Sequence, residues 1–414
     1  MHHLPLILQY IAAEKDTPYS GEETLFKLLH APCFNIPSLE ITRLSLEVSE
    51  RQFTKNKTFL RVLLREKINT PPKDLFTPSL HEGLRNASLL LEKWMEAANA
   101  PAPPDQLEYM IQEDLADMIP VAPVQLPDTG SPLPPPEIER LEPALISALL
   151  NRFTMNVSAL NSYLHCPLEF YYKNIIRIPS PQNEATGFGS AVHYALEQLF
   201  RKMLDAPGNG RQRPFPPRET FIADFEWHMH AHRESFTAAQ FERRLNHGRE
   251  VLDKYYASYV YSFPTVVAIE RMIRVVYNGV PLKGKLDKLE FDGKSVNIVD
   301  YKTGDYDKAM LRMQPPREED PNGGDYWRQA VFYKILVDSY GEKGWKAMSS
   351  TFDFIEPDKT GQYRRESLLI TPADITTVSR QIQQVWEAIQ QHAFYTGCGS
   401  PTCSWCNFAR MIGR

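Results

Sequence analysis

Apolar positions recur every three or four residues through much of the first hundred residues, clearly at 22–29 and 86–97, and predict a helical N-terminal region. Prolines then recur densely from 101 to 137, where the chain can neither continue a helix nor pair inside a sheet, so this stretch reads as an extended connector. Within it, 107–119 is amphipathic and is expected to dock as a short helix. Helical spacing returns at 138–150, then comes a segment at 158–172, and a further helix is expected to open near Gly189 and run to Met203. The Gly-, Pro- and Arg-rich stretch 205–217 breaks this pattern, and a polar-amphipathic helix follows through Tyr256. After it the period changes to two. The stretches 266–277, 280–291, 296–301 and 351–355 alternate or run apolar with β-branched and aromatic residues, while 326–339 and 375–391 are again helical. Strands flanked by helices predict an α/β fold with one central mixed sheet. The organisation read from this pattern is a helical region at 1–100, a Pro-rich acidic linker at 101–137, and one large domain at 138–414.

Composition changes this picture at two points. With 43% hydrophobic and 23% charged residues and no apolar run near 20 residues, nothing predicts a membrane span. The apolar stretch 4–13 has no Lys or Arg before it and is followed at once by Glu14, Lys15 and Asp16, so a secretory signal is not expected and a cytoplasmic protein is. Taken whole, the net charge of −5 disfavours a polyanionic partner, but it is unevenly shared. Residues 1–150 hold 13 basic and 21 acidic side chains, and nine of those acids fall in 101–150 beside the single Arg140. Residues 151–414 carry 33 basic against 30 acidic side chains, so the larger domain is slightly positive. No GxxxxGK[ST] motif occurs, which removes the P-loop type of ATP hydrolysis.

The densest chemistry lies in Leu282-Lys-Gly-Lys-Leu-Asp287 and, across an Asp292-Gly293 turn signal, Val296-Asn-Ile-Val-Asp300-Tyr301-Lys302-Thr-Gly304. If residues 292–295 form the loop, Phe291 opposes Val296 and Asp287 stands opposite Asp300. Strand alternation then puts Lys302 on the face of Asp300 and turns Tyr301 away. Two close carboxylates repel unless a cation neutralises them, and a hard divalent ion such as Mg²⁺ does so while keeping positions open to water and phosphate. Lys302 can then lower the pKa of an attacking water or steady charge on a phosphate. An ordinary surface hairpin laced with Asp and Lys pairs is the competing reading. His193 and Glu197 share a helix face, as do Gln329 and Tyr333, beside Trp327 and Arg328.

Together, Gly189-x-x-x-His193, Gly284-x-x-Asp287, Asp300-Tyr-Lys302-Thr-Gly304 and Gln329-x-x-x-Tyr333 resemble, in kind and order, the RecB/AddB-type branch of the PD-(D/E)xK nuclease superfamily. The resemblance implies a restriction-endonuclease-like fold with a central mixed sheet flanked by helices. It implies a nuclease using Mg²⁺ or Mn²⁺, with His193, Asp287, Asp300 and the Tyr301 carbonyl as ligands. Lys302 becomes the catalytic lysine, and Gln329 and Tyr333 order the site and touch DNA. Glu270 is expected as an outer acid, and the basic stretch 208–213 with Arg218 as a contact for backbone phosphate. The activity so implied is a metal-dependent deoxyribonuclease, exonuclease or single-strand endonuclease, that processes DNA ends in repair and recombination. The rival reading is a non-catalytic DNA-binding module or a metal-stapled scaffold in a helicase complex.

Cys166 stands before Pro167, and Cys398, Cys403 and Cys406 cluster near the C-terminal end, as C-x4-C-x2-C, so four thiols form a candidate soft-metal set while Cys33 stays unassigned. Spacing leaves zinc and iron–sulfur both open. The iron–sulfur subgroup of these nucleases likewise pairs a Cys-Pro before the core with cysteines after it, which implies a [4Fe-4S] cluster on the four. The present sequence departs from the commoner arrangement, since no cysteine follows Cys406 and Cys398 must serve. The stretch 19–30 and the helices to about residue 97 resemble a piece of a superfamily 1 helicase core without its ATPase motifs, which implies a helicase-nuclease or a helicase partner.

Overall fold

A computed structural model describes residues 4–52, 54–69, 80–100, 104–116, 118, 134–179, 183–208, 213–341 and 343–412. Residues 131–133 of the expected Pro-rich linker, most of the linker before them, and residues 209–212 of the basic stretch lie outside the described residues. The chain gathers into two compact units, the first made of Met1–Arg152, His165–Gln182 and His392–Arg414, the second of Phe153–Leu164 and Asn183–Gln391.

In the first unit, helices α1 (Leu4–Asp16), α2 (Glu22–Leu29), α3 (Ser38–Arg51), α4 (Leu60–Asn69), α5 (Glu82–Asn99) and α6 (Pro104–Ala116) precede α7 (Pro143–Leu150). Tyr10, Phe26 and Trp94 are fully buried among them. The carboxylate of Glu22 accepts the free N–H groups of Leu60 (2.5 Å) and Arg61 (3.4 Å), capping α4 from a neighbouring helix. Arg61 then grips Glu92 through Nε and Nη2, both at 2.8 Å. The helix expected over 138–150 starts only at Pro143. Residues before it are extended, with Glu137 bridged to Thr396 and the Ile138 N–H donating to the Tyr395 carbonyl at 3.0 Å. Proline at the first helical position explains the boundary.

In the second unit, α8 (Val157–His165) ends before the four-residue α9 (Pro167–Phe170), which returns to the first unit with a π turn at Tyr171–Ile175. Three helices follow: α10 (Glu184–Asp205), α11 (Arg218–Ala231) and α12 (Ala238–Tyr259). The helix expected to open near Gly189 begins five residues earlier, where Asn183 and Thr186 form a reciprocal capping box. The single helix expected through Tyr256 is two, the second again opened by a capping box, of Thr237 and Gln240.

The sheet runs β1 (Val267–Tyr277), β2 (Val280–Asp292), β3 (Ser295–Lys302), β4 (Lys346–Phe354) and β5 (Arg365–Leu368), side by side in chain order. Only the β3–β4 pair is parallel. A parallel neighbour needs a crossover, and α13 (Tyr306–Arg312) and α14 (Asp325–Asp338) supply it. Helix α15 (Pro372–Gln390) closes this unit, and α16 (Ser404–Ile412) belongs to the first. Val299 and Tyr301 of β3 enter an apolar cluster with Phe188, Leu199, Phe225 and Leu252 of α10 to α12. Alternate residues of β3 face α14. Among the described residues, no helix is long and apolar enough to cross a membrane.

Candidate active site

The β2–β3 register decides where the carboxylates fall. Phe291 opposes Val296 as expected, but Asp292 also pairs with Ser295, so the loop is Gly293-Lys294 and not 292–295; Lys288 opposes Val299, and the same register carried one step further sets Asp287 opposite Asp300. Helix α10 contributes His193, whose Nδ1 lies 3.3 Å from Asp287 Oδ2, and the same oxygen accepts the Tyr301 N–H at 3.0 Å. Helix α14 contributes Gln329, whose amide bridges the other half of the site. Its Nε2 donates to Asp300 Oδ1 (2.8 Å) and to the Tyr333 hydroxyl (3.2 Å), and its Oε1 accepts from the Lys302 ammonium (2.9 Å). The Tyr333 hydroxyl donates in turn toward the Lys285 carbonyl at 3.5 Å.

The Lys302 ammonium stands 2.7 Å from Asp300 Oδ2 and 4.2 Å over the Tyr326 ring. That contact with Asp300 lacks hydrogen-bond geometry, so Oδ2, a buried oxygen, has no hydrogen-bond donor. A buried carboxylate oxygen that accepts no hydrogen bond is costly to ionise, and the Lys302 ammonium offsets that cost only in part. Asp287 and Asp300 offer carboxylate oxygens and His193 an imidazole nitrogen, donor types that suit a hard divalent ion. Burial works against charge on His193, but the Asp287 carboxylate outweighs it and raises the ring to about 9. Burial likewise opposes charge on Asp287, yet the imidazole beside it holds that carboxyl below the usual range. For Asp300 burial wins over Lys302 and the carboxyl is raised. Both acids are charge-paired, Asp287 with His193 and Asp300 with Lys302, but burial outweighs the pairing only at Asp300.

Several residues that position this site carry no motif. Arg328, beside Gln329, is fully buried and donates to Gln381 (3.1 Å), Asn161 (2.7 Å), Asp325 (3.2 Å) and the carbonyls of Asn322 and Gly323 (both 2.7 Å). It fastens the start of α14. Glu356 accepts the Gly304 N–H at 2.6 Å and pairs with His247 at 2.7 Å, fixing the turn after Lys302. Gly189 faces that turn too, since a Cβ there would stand 3.2 Å from Thr303 Oγ1. At position 284, a Cβ would meet Leu336 Cδ1 at 2.5 Å, so β2 runs close against α14 there.

Glu197 pairs with Arg201 at 2.6 Å and takes no part in the site. Glu270 has a positive φ of 50° within β1 and is ion-paired with Lys285, and burial raises its carboxyl. Arg218 is held by Asp253 (3.1 Å), and Arg213 donates to the Leu204 carbonyl (2.6 Å), so both basic residues are engaged internally. The four cysteines come together: Sγ atoms of Cys166, Cys398, Cys403 and Cys406 all lie within 4.8 Å of one another, while Cys33 is not among them.

A family model of the PD-(D/E)XK nuclease superfamily matches residues 154–411. The chain belongs to this superfamily. A central sheet continuing from a three-stranded meander through a helical crossover to a parallel fourth strand, with acids on β2 and β3 and a lysine two residues later, is the superfamily's frame as this chain builds it. No curated protein sequence matches the chain. Among solved structures, a candidate exonuclease from Eubacterium rectale is 13% identical, with 65% of this chain and 93% of that chain covered at a TM-score of 0.40. The protein SSO0001 is 11% identical, with 46% of this chain and 85% of that chain covered at a TM-score of 0.21.

Proposed function

We propose that this PD-(D/E)XK nuclease is a Mg²⁺- or Mn²⁺-dependent deoxyribonuclease that hydrolyses phosphodiester bonds at DNA ends or in single strands. The observation that carries the reading is the meeting of Asp287, Asp300, Lys302 and Gln329 around a buried Asp300 oxygen with no hydrogen-bond donor. Asp287, Asp300, His193 and the Tyr301 carbonyl would hold the ion, which supplies Lewis acidity and neutralises charge on the phosphate. Lys302, held by Gln329 and resting on Tyr326, directs an ammonium N–H toward the water and toward charge developing on the phosphate. Gln329 keeps that ammonium and Asp300 in fixed relation, so neither must reorganise during in-line attack. Tyr333 props Gln329 from below.

The motif order also supports a finer placement, in the RecB/AddB-type branch and in end processing for repair and recombination beside a helicase. The intact acid pair and lysine favour a working enzyme over a DNA-binding scaffold. Incubating the full chain with single- and double-stranded DNA, with and without Mg²⁺ or Mn²⁺, tests the reading. Cleavage is expected only with metal and is expected to vanish in Lys302→Ala and Asp300→Asn; undiminished cleavage by either variant would sink it.

A further inference from the structure

The four-cysteine site is built more tightly than the cluster implied by the family resemblance allows. A [4Fe-4S] cubane gives each thiolate its own iron and spreads the four sulfurs to separations on the order of 6 Å. Here every pair lies within 4.8 Å, with Cys398 to Cys406 at 3.6 Å and Cys166 to Cys406 at 3.8 Å. A single zinc ion with bonds of about 2.3 Å in a tetrahedron sets its sulfurs about 3.8 Å apart. The two short separations match that edge.

The surroundings agree with the smaller occupant. The Cys398 N–H donates to Cys166 Sγ at 3.4 Å and the Cys406 N–H to Cys403 Sγ at 3.5 Å, so two sulfurs already receive the amide bonds that stabilise thiolates. The Gly397 N–H donates to the Pro136 carbonyl at 2.8 Å, bringing the backbone against the site. A Cβ on Gly397 would stand 2.6 Å from Cys406 Sγ and 3.1 Å from both Leu168 and Pro136, so this wall has no space to retreat. Cys166 and Cys406 are buried, and Cys166 lies where α9 begins. Inserting a cubane of eight atoms would require these walls to open.

We infer that Cys166, Cys398, Cys403 and Cys406 form a structural site for one tetrahedral Zn²⁺ rather than for an iron–sulfur cluster. Zinc has no accessible redox change, so this unit of the nuclease is fastened by a metal that does not respond to oxidants through its valence. The inference rests on the cysteine geometry alone and survives or fails independently of the catalytic reading.

Metal content decides it. The full chain is expressed with iron and zinc both supplied and purified without oxygen, and zinc, iron and acid-labile sulfide are counted per chain. One zinc, no sulfide and a colourless protein are expected. Cys398→Ser is expected to lower bound zinc at least fivefold, while Cys33→Ser leaves it unchanged. Because a cysteine variant can misfold, the unaltered chain is also produced with cobalt, which is expected to bind once and give the intense visible bands of tetrahedral thiolate ligation. Iron at any stoichiometry, zinc retained in Cys398→Ser, or cobalt without that spectrum would overturn the proposal.

Discussion

The two oxygens of Asp300 have different fates: Oδ1 is held by the Gln329 amide, and Oδ2 faces Lys302 with no hydrogen bond. Gln329 therefore acts on both the acid and the ammonium, and its loss should be felt beyond its size. Gln329→Leu is expected to lower the cleavage rate about 10–100-fold, measured in the Mg²⁺-dependent assay, with the melting temperature nearly unchanged. Asp287, Asp300 and Lys302 were legible in the sequence because alternation along a strand and an Asp-Gly turn fix which side chains share a face. Gln329 and Tyr333 were legible as neighbours one helical turn apart. Arg328 and Glu356 were not, because what they bind is backbone carbonyls and a loop N–H whose positions exist only after folding. His30 gives a further residue-scale prediction. Burial lowers its pKa to about 4 from an ordinary value of 6.5, and its Nδ1 lies 2.9 Å from the Phe26 carbonyl. The unfolded chain then binds more protons than the folded one between those values. Stability is fully present above about pH 6.5 and is lost as pH falls toward 4. Thermal melts of His30→Leu should show a smaller loss across that window than the unaltered protein.

At the scale of elements, α14 matters most, since it carries Gln329 and Tyr333 and is seated by Arg328. Removing one partner from a buried ionic network leaves the others unpaired, so Arg328→Met is expected to cost about 3–5 kcal/mol, seen as a shifted chemical-denaturation midpoint. Activity should fall with it, although no atom of the Asp300–Lys302 pair is altered. The strands were readable where apolar positions alternate over many residues, whereas β5, with only Arg365–Leu368, offers too short a pattern. Helix α10 starts at Glu184, before the opening expected near Gly189. Glycine weakens a helix, yet Gly189 lies inside α10, where a Cβ would stand 3.2 Å from Thr303 Oγ1. The true start lies in the polar Asn183 and Thr186.

At the scale of the molecule, the matched nuclease region spans both compact units, because its last residues return to the first. That return was invisible along the sequence, where the cysteines simply follow the catalytic motifs. Around the thiols, Trp405 stacks on Tyr172 at 5.0 Å and Phe408 packs on His30 and Phe26. The cysteine cluster and the N-terminal helices thus belong to one apolar body. A ligand that binds only the folded state stabilises it by mass action. Stripping metal from the full chain with a strong chelator should therefore lower the melting temperature of this unit, and re-adding zinc should restore it.

The parallel pairing of β3 with β4 also sets an order of assembly. The β1–β2–β3 meander joins neighbours through short turns, whereas β4 can pair only after the chain has traversed both crossover helices, a longer loop with a larger closure cost. Gln329 rides on that crossover, so a refolding chain would possess Asp287 and Asp300 in register before it possesses the residue that joins Asp300 to Lys302. Pulsed hydrogen exchange should find amides of β2 and β3 protected earlier than those of β4, and cleavage should return only with the later phase.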